Sequence, residues 1–150
     1  MNPFDYMQWG ADWAWGVPLI ALNVVIHVFC LALFTQKVEH ALHGFKSHRH
    51  FVPAFAAVVG VAVIFVTALH IVEAAVWAAA YRIIGAIADN KSAMLYSLGA
   101  LTTYGHDDIH LEGQWQMMGA LEALNGMLLF GLTTAFLFAM IQRVWPTAKR

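Results

Sequence analysis

The chain has 150 residues, 61% of them hydrophobic and 11% charged, with a formal net charge of -1 and a mean hydropathy of +0.64. That balance lies outside the range of soluble domains, because one small core cannot hide so much apolar surface, and it points to lipid as the solvent. Near-neutral charge and the absence of a basic stripe interleaved with aromatics exclude a nucleic-acid partner.

Residues 1 to 16 carry Trp9, Trp13 and Trp15 beside Asp5 and Asp12. This mixture suits the headgroup layer and predicts a separate N-terminal interfacial helix, with residues 17 to 150 forming a single transmembrane domain. No Lys or Arg precedes the first apolar run, so it is read as a retained span and not as a cleaved signal. Val17 to about Gln36 is span one, interrupted only by Asn23, His27 and Thr35; its roughly 20 residues reach across about 30 Å of hydrocarbon. His27 is expected to make a hydrogen bond between packed helices, and Cys30, the single cysteine, to behave as a small hydrophobe. Lys37 to His50, with His40, His43, His48 and His50, reads as a solvated connection.

Phe51 to about Ala86 is span two, a long apolar stretch that must tilt or project. After the polar break Ala88 to Ser92, Ala93 to Thr103 is apolar but too short to cross, which predicts a re-entrant half-helix with Ser92 as its N-cap. Gln114 to about Val144 is span three, followed by Pro146. Lys37, Lys46 and Arg49 fall between spans one and two, and Arg143, Lys149 and Arg150 follow span three. The positive-inside rule then predicts a multi-pass protein of the plasma (cell inner) membrane with its N-terminus outside and its C-terminus cytoplasmic. The fold class is an all-α membrane protein: three transmembrane helices, a re-entrant pore helix with its filter loop, and the interfacial helix.

Irregular backbone at membrane depth is tolerated only where it is buried in protein or lines a watery cavity. The turn-back here reads Leu101-Thr-Thr-Tyr-Gly-His-Asp-Asp-Ile109. It resembles the selectivity loop of the potassium-channel superfamily, in which Thr-Thr-Val-Gly-Tyr-Gly-Asp follows a short pore helix. Thr102, Thr103, Gly105 and Asp108 match position by position, Met94 to Ser97 resembles the start of that pore helix, and Ala120 to Gly126 is similar to small bacterial proteins described as ion channels. The resemblance covers a pore unit of about 52 to 145. It implies a homotetramer in the bilayer, with Thr102, Thr103, Tyr104, Gly105, His106, Asp107 and Asp108 as the ion filter. It also implies a permeant monovalent cation, K+ or Na+, and no cofactor.

Tyr104, His106 and Asp107 depart from the pattern, the last replacing the second glycine, so the expectation is cation over anion with K+ against Na+ left open. Asp107 and Asp108 are expected to ring the outer mouth with carboxylates and to hold a metal such as Ca2+. His110 and Glu112 continue this ligand-rich run, with solvated turn as their simpler reading.

His70 and Glu73 share a helix face with Trp77. Ionisable groups at depth seldom face lipid, so these three, with Glu122, are expected behind the loop as filter support. Along span three, Asn125, Thr133, Phe136 and Met140 fall near one face and are expected to line the cavity, with a gate at Phe136 or Met140. Gly126 and Gly131 allow either a bend or a close helix contact.

Three alternatives stay open. One is a non-selective or divalent-permeable cation channel; another, from a different class, is a membrane metal- or haem-binding protein using His27, His70 and Glu73. The third is a subunit that does not conduct. No nucleophile-and-base motif or phosphate-binding glycine loop supports an enzyme.

Overall fold

The computed structural model describes residues 3 to 42, 51 to 105 and 108 to 144. Its elements are α1 (Pro3–Leu42), α2 (Phe51–Ile83), α3 (Asn90–Leu101), a single 3-10 turn at Gly113–Trp115, and α4 (Gln116–Val144). No strand occurs among the described residues. Three segments, Gly10–Val38, Val52–Ile83 and Gly113–Arg143, are long and apolar enough to cross a membrane. The protein is therefore an all-helical, multi-pass membrane protein.

The long helices keep a constant register. Asp12 meets Met118, Gly16 lies against Leu121, and His27 meets Thr133, so α1 and α4 run parallel. His27 meets Glu73 and Phe34 stacks on Phe65, so α2 runs antiparallel to α1. Tyr81 to Glu122 and His70 to Thr133 make α2 antiparallel to α4 as well.

From Pro3 onward, the segment read as an interfacial helix is continuous with span one in α1. Pro18 removes one hydrogen-bond donor without ending the helix. The reason is tertiary: Asp12 is buried, and the Met118 amide hydrogen-bonds its carboxylate. Met118 lies in the first turn of α4, where amides lack partners within their own helix and the dipole favours an anion. α1 thus caps α4 from outside, and the turn around Asp12 packs into the bundle. Nearby, Gly16 lies so close to Leu121 Cδ1 that a side chain there would collide with it.

α2 stops where its sequence can bend back. Gly85 has a φ of +72°, the Gly85 amide donates to the Arg82 carbonyl (3.3 Å), and the Ala86 amide donates to the Tyr81 carbonyl (2.9 Å). This is the glycine-terminated cap that satisfies the last carbonyls of a helix. α3 then begins at Asn90, with Asp89 as its N-cap; the Asp89 carboxylate accepts the Ser92 amide at 2.9 Å. The expected cap, Ser92, is instead the amide donor, three residues inside. Both residue types cap well, and the local pattern does not choose between them.

Candidate functional site

α3 has 12 residues, about 18 Å of helix, and is too short to cross. It enters between α2 and α4 at the end where α2 stops and α4 starts. Tyr96 meets Tyr81 edge-on at 5.4 Å and approaches Gly119, while Leu101 packs with Ala74 and Leu129. The Leu101 carbonyl rests directly against Gly126, whose missing side chain provides the room. The C-terminus of α3 therefore lies roughly 15 Å along α4 from its first residue, and the chain returns from there to Gly113.

The reversal is Thr102 to Gly105. Thr103 has a φ of 58° and Gly105 a φ of 75°, so two alternate residues are left-handed, the first of them a β-branched residue for which this is unfavourable. The amides of Thr102, Thr103 and Gly105 donate to the carbonyls of Leu98, Ala100 and Gly99. In a trans peptide the carbonyl points opposite to the next amide, so the Thr102 and Tyr104 carbonyls are turned away from the end of α3. The Tyr104 side chain is 84% exposed. A cavity of about 440 Å³ separates this turn from α4 and is lined by Tyr96, Gly99, Thr103, Gly105, His110 and Gly119 among others. His106 and Asp107 lie outside the described residues, and Asp108 is exposed.

Behind α3 lies the first of two buried polar networks. The Tyr81 hydroxyl donates to Glu122 Oε2 at 2.6 Å, Ser97 Oγ contacts Glu122 Oε1, and Ser97 donates to the Ala74 carbonyl at 2.6 Å. Ser97 has one proton and two oxygens facing it. Both contacts are satisfied when Glu122 is the protonated acid and donates to Ser97. The chain Tyr81 to Glu122 to Ser97 to Ala74 then closes without any net charge, which suits a fully buried site. It ties α2, α3 and α4 together at one point.

The second network lies deeper and joins α1, α2 and α4. Glu73 Oε1 is 2.8 Å from His27 Nδ1, and Oε2 is 3.0 Å from His70 Nδ1. The other nitrogens, His27 Nε2 and His70 Nε2, are each 3.1 Å from Thr133 Oγ1. The four side chains form a closed ring. Four hydrogen bonds need four protons, of which Thr133 brings one. The other three, shared among two imidazoles and one carboxyl, make the ring neutral: either a carboxylate with one imidazolium, or a carboxylic acid with two neutral imidazoles. Asn23 adds a contact from its Nδ2 to the Glu73 carbonyl at 3.4 Å.

The expected filter support is thus divided between two networks. Glu122 bears on α3, whereas His70 and Glu73 pair with His27 and Thr133, one level below. Trp77 is fully buried beside Tyr81, its ring centroid 6.1 Å away, and its indole N–H has no hydrogen-bond partner among the described residues. The expected cavity face of α4 turns inward within the chain. Asn125, Thr133 and Met140 are buried, and Phe136 packs at its edge against Phe34 of α1, with ring centroids 6.1 Å apart. Leu128, Leu132 and Phe138 are among the exposed residues of α4. Sequence reasoning missed Ser97, Tyr81 and Asp12 as polar anchors. A buried serine or tyrosine signals only that some partner exists.

No protein-family model, curated protein or solved structure matches the chain.

Proposed function

We propose that the protein is a pore-loop cation channel, in which α3 is the pore helix and Thr102 to Asp108 form the ion filter of a homotetramer. The observation that carries this reading is the course of α3 and its return: a short helix seated between α2 and α4, ending at depth, followed at once by Thr102-Thr103-Tyr104-Gly105 with alternate left-handed residues.

The physics favours a cation there. The C-terminal end of a helix carries the negative end of its dipole, so α3 directs partial negative charge toward the bundle interior. The Thr102 and Tyr104 carbonyls face away from α3, and in a ring of four chains such carbonyls replace the hydration shell of a cation. Asp107 and Asp108 at the mouth concentrate cations and bind a divalent ion. Transport of this kind involves no covalent chemistry.

The test is flux into liposomes containing the purified protein, with K+, Na+, Ca2+ and a bulky organic cation compared in turn. Small cations are expected to enter and the bulky one to be excluded, with Asp107→Gly and His106→Tyr shifting the preference toward K+. Flux no greater than in empty vesicles, or equal passage of all four ions unchanged by the double variant, refutes the filter assignment.

A further inference from the structure

The polar ring of His27, His70, Glu73 and Thr133 goes beyond what a pore loop requires. A buried histidine has two ring nitrogens to satisfy; here two imidazoles and a carboxylate from two different helices converge on one point, with their ligand atoms all within 4.8 Å of one another. We infer that this ring is a binding site for a first-row divalent transition metal of the Zn2+ class, with His27, His70 and Glu73 as ligands and Thr133 as the residue that orients both imidazoles.

Thr133 Oγ1 is equidistant, at 3.1 Å, from His27 Nε2 and His70 Nε2. A hydroxyl oxygen accepts two hydrogen bonds, so Thr133 can take both Nε2–H groups once a metal replaces the protons held between Glu73 and the Nδ1 atoms. With both Nε2–H groups donating to Thr133, both Nδ1 atoms present lone pairs on the side of the Glu73 carboxylate. A metal-bound histidine generally donates its other ring N–H to such a fixed partner, which sets tautomer and ring angle together.

The spacing also fits. With metal–ligand bonds of about 2.1 Å, tetrahedral donors stand roughly 3.4 Å apart, and the Nδ1-to-carboxylate distances of 2.8 and 3.0 Å open to that value by a few tenths of an ångström. Two imidazoles and one carboxylate leave a fourth position for water or a small anion, a donor set suited to Zn2+ or Fe2+ and not to Ca2+ or Mg2+. Access runs past His70, the one ligand with a partly exposed side chain (12%), whose ring lies 4.4 Å from that of Phe130. Porphyrin has no slot here, because Glu73 and Thr133 fill the space between the imidazoles.

The experiment uses the full chain, stripped with a chelator in detergent and titrated with Co2+ and then Zn2+. In the Asp107→Gly, Asp108→Asn background, which removes the carboxylates of the mouth, one Co2+ per chain is expected, with the ligand-field absorption of a low-coordinate nitrogen and oxygen site, displaced by one equivalent of Zn2+. X-ray absorption of the Zn2+ form should report two imidazoles. His70→Gln should abolish stoichiometric uptake, Thr133→Val should weaken it about 10 to 100-fold, and Thr133→Ser should restore it. His110→Ala, on the exposed loop, should leave it unchanged. Folded wild-type protein that takes up neither ion at micromolar concentration overturns the inference and leaves the ring a proton-bonded structural clasp. Uptake that survives His70→Gln, or a spectrum without imidazole, also overturns it. The readout is independent of ion flux, so failure of the channel reading and failure of this one are distinguishable.

Discussion

Gly126 and Gly131 occupy the interior of the same helix, yet an added methyl group has opposite consequences at the two positions. At Gly126 a Cβ would collide with the backbone carbonyl of Leu101, and a backbone atom held by a helix end cannot swing aside. At Gly131 nothing lies within 4 Å. Replacing glycine by alanine in a helix gains about 1 kcal/mol from backbone entropy, and this gain is common to both variants. Overpacking at Gly126 opposes it by roughly 1 to 3 kcal/mol. Gly131→Ala is therefore expected to stabilise, Gly126→Ala to be neutral to destabilising by about 2 kcal/mol, and the gap between them to measure the seat of α3. Equilibrium unfolding in mixed micelles, followed by far-ultraviolet circular dichroism, gives both values. Flux from the same preparations adds a second readout, since a displaced α3 moves Thr102 and Thr103 while a methyl at 131 does not. A gap under about 0.5 kcal/mol, together with equal flux, would refute the claim that the end of α3 is fixed by contact with α4.

Other substitutions probe the rest of the bundle. Glu122→Gln should stay within about 1 kcal/mol of wild type in the same unfolding assay, because an amide donates to Ser97 and accepts from Tyr81 as the neutral acid does; Glu122→Ala, which orphans both hydroxyls, should lose about 2 to 4 kcal/mol. If glutamine proves as damaging as alanine, Glu122 is ionised and the proton count is wrong. Asp12→Ala should cost about 1 kcal/mol and speed hydrogen exchange at the Met118 amide, with exchange unchanged there ruling out the cap. Hydrogen bonds from the Ser92 amide and hydroxyl hold the Asp89 carboxyl below the usual carboxylate range. The stabilisation it gives the first turn of α3 is present above the ordinary carboxylate pKa and disappears as pH falls through the lowered one. Exchange at Ser92, corrected for its intrinsic pH dependence, should rise on that acid limb in wild type and be flat in Asp89→Asn.

What the sequence disclosed depends on the range of the interaction responsible. The three spans follow from runs of apolar residues, and the brief apolar stretch after Ser92 identifies α3, because length alone separates a spanning helix from one that cannot span. Helix ends are less secure: Asp89 and Ser92 are equally good caps, three residues apart, and tertiary packing settles the choice. Pairings between helices are least legible. His27 reads as one polar residue needing one partner, yet the register of three helices gives it two and places His70 beside it. Glu122 reads as a partner for the His70 level but lies about three turns away along α4, against Tyr81 and Ser97. The tryptophan-rich start reads as a unit of its own, yet α1 runs through it, and Asp12 serves a helix whose first turn comes about a hundred residues later.

The two polar networks also limit how this bundle can move. The Tyr81–Glu122–Ser97 contact fixes α2 and α3 against α4 at one level, and the histidine ring fixes α1 and α2 against α4 at another. An axial slip of one turn, about 5.4 Å, would uncouple both levels together and strand their polar atoms in hydrocarbon. Ratcheting one helix along its neighbour is thereby closed to the protein. Swinging the half of α4 beyond Thr133 about that lower joint disturbs neither polar network and works only against the apolar packing of Phe136 and Met140, so movement should resemble a lever on a pinned hinge.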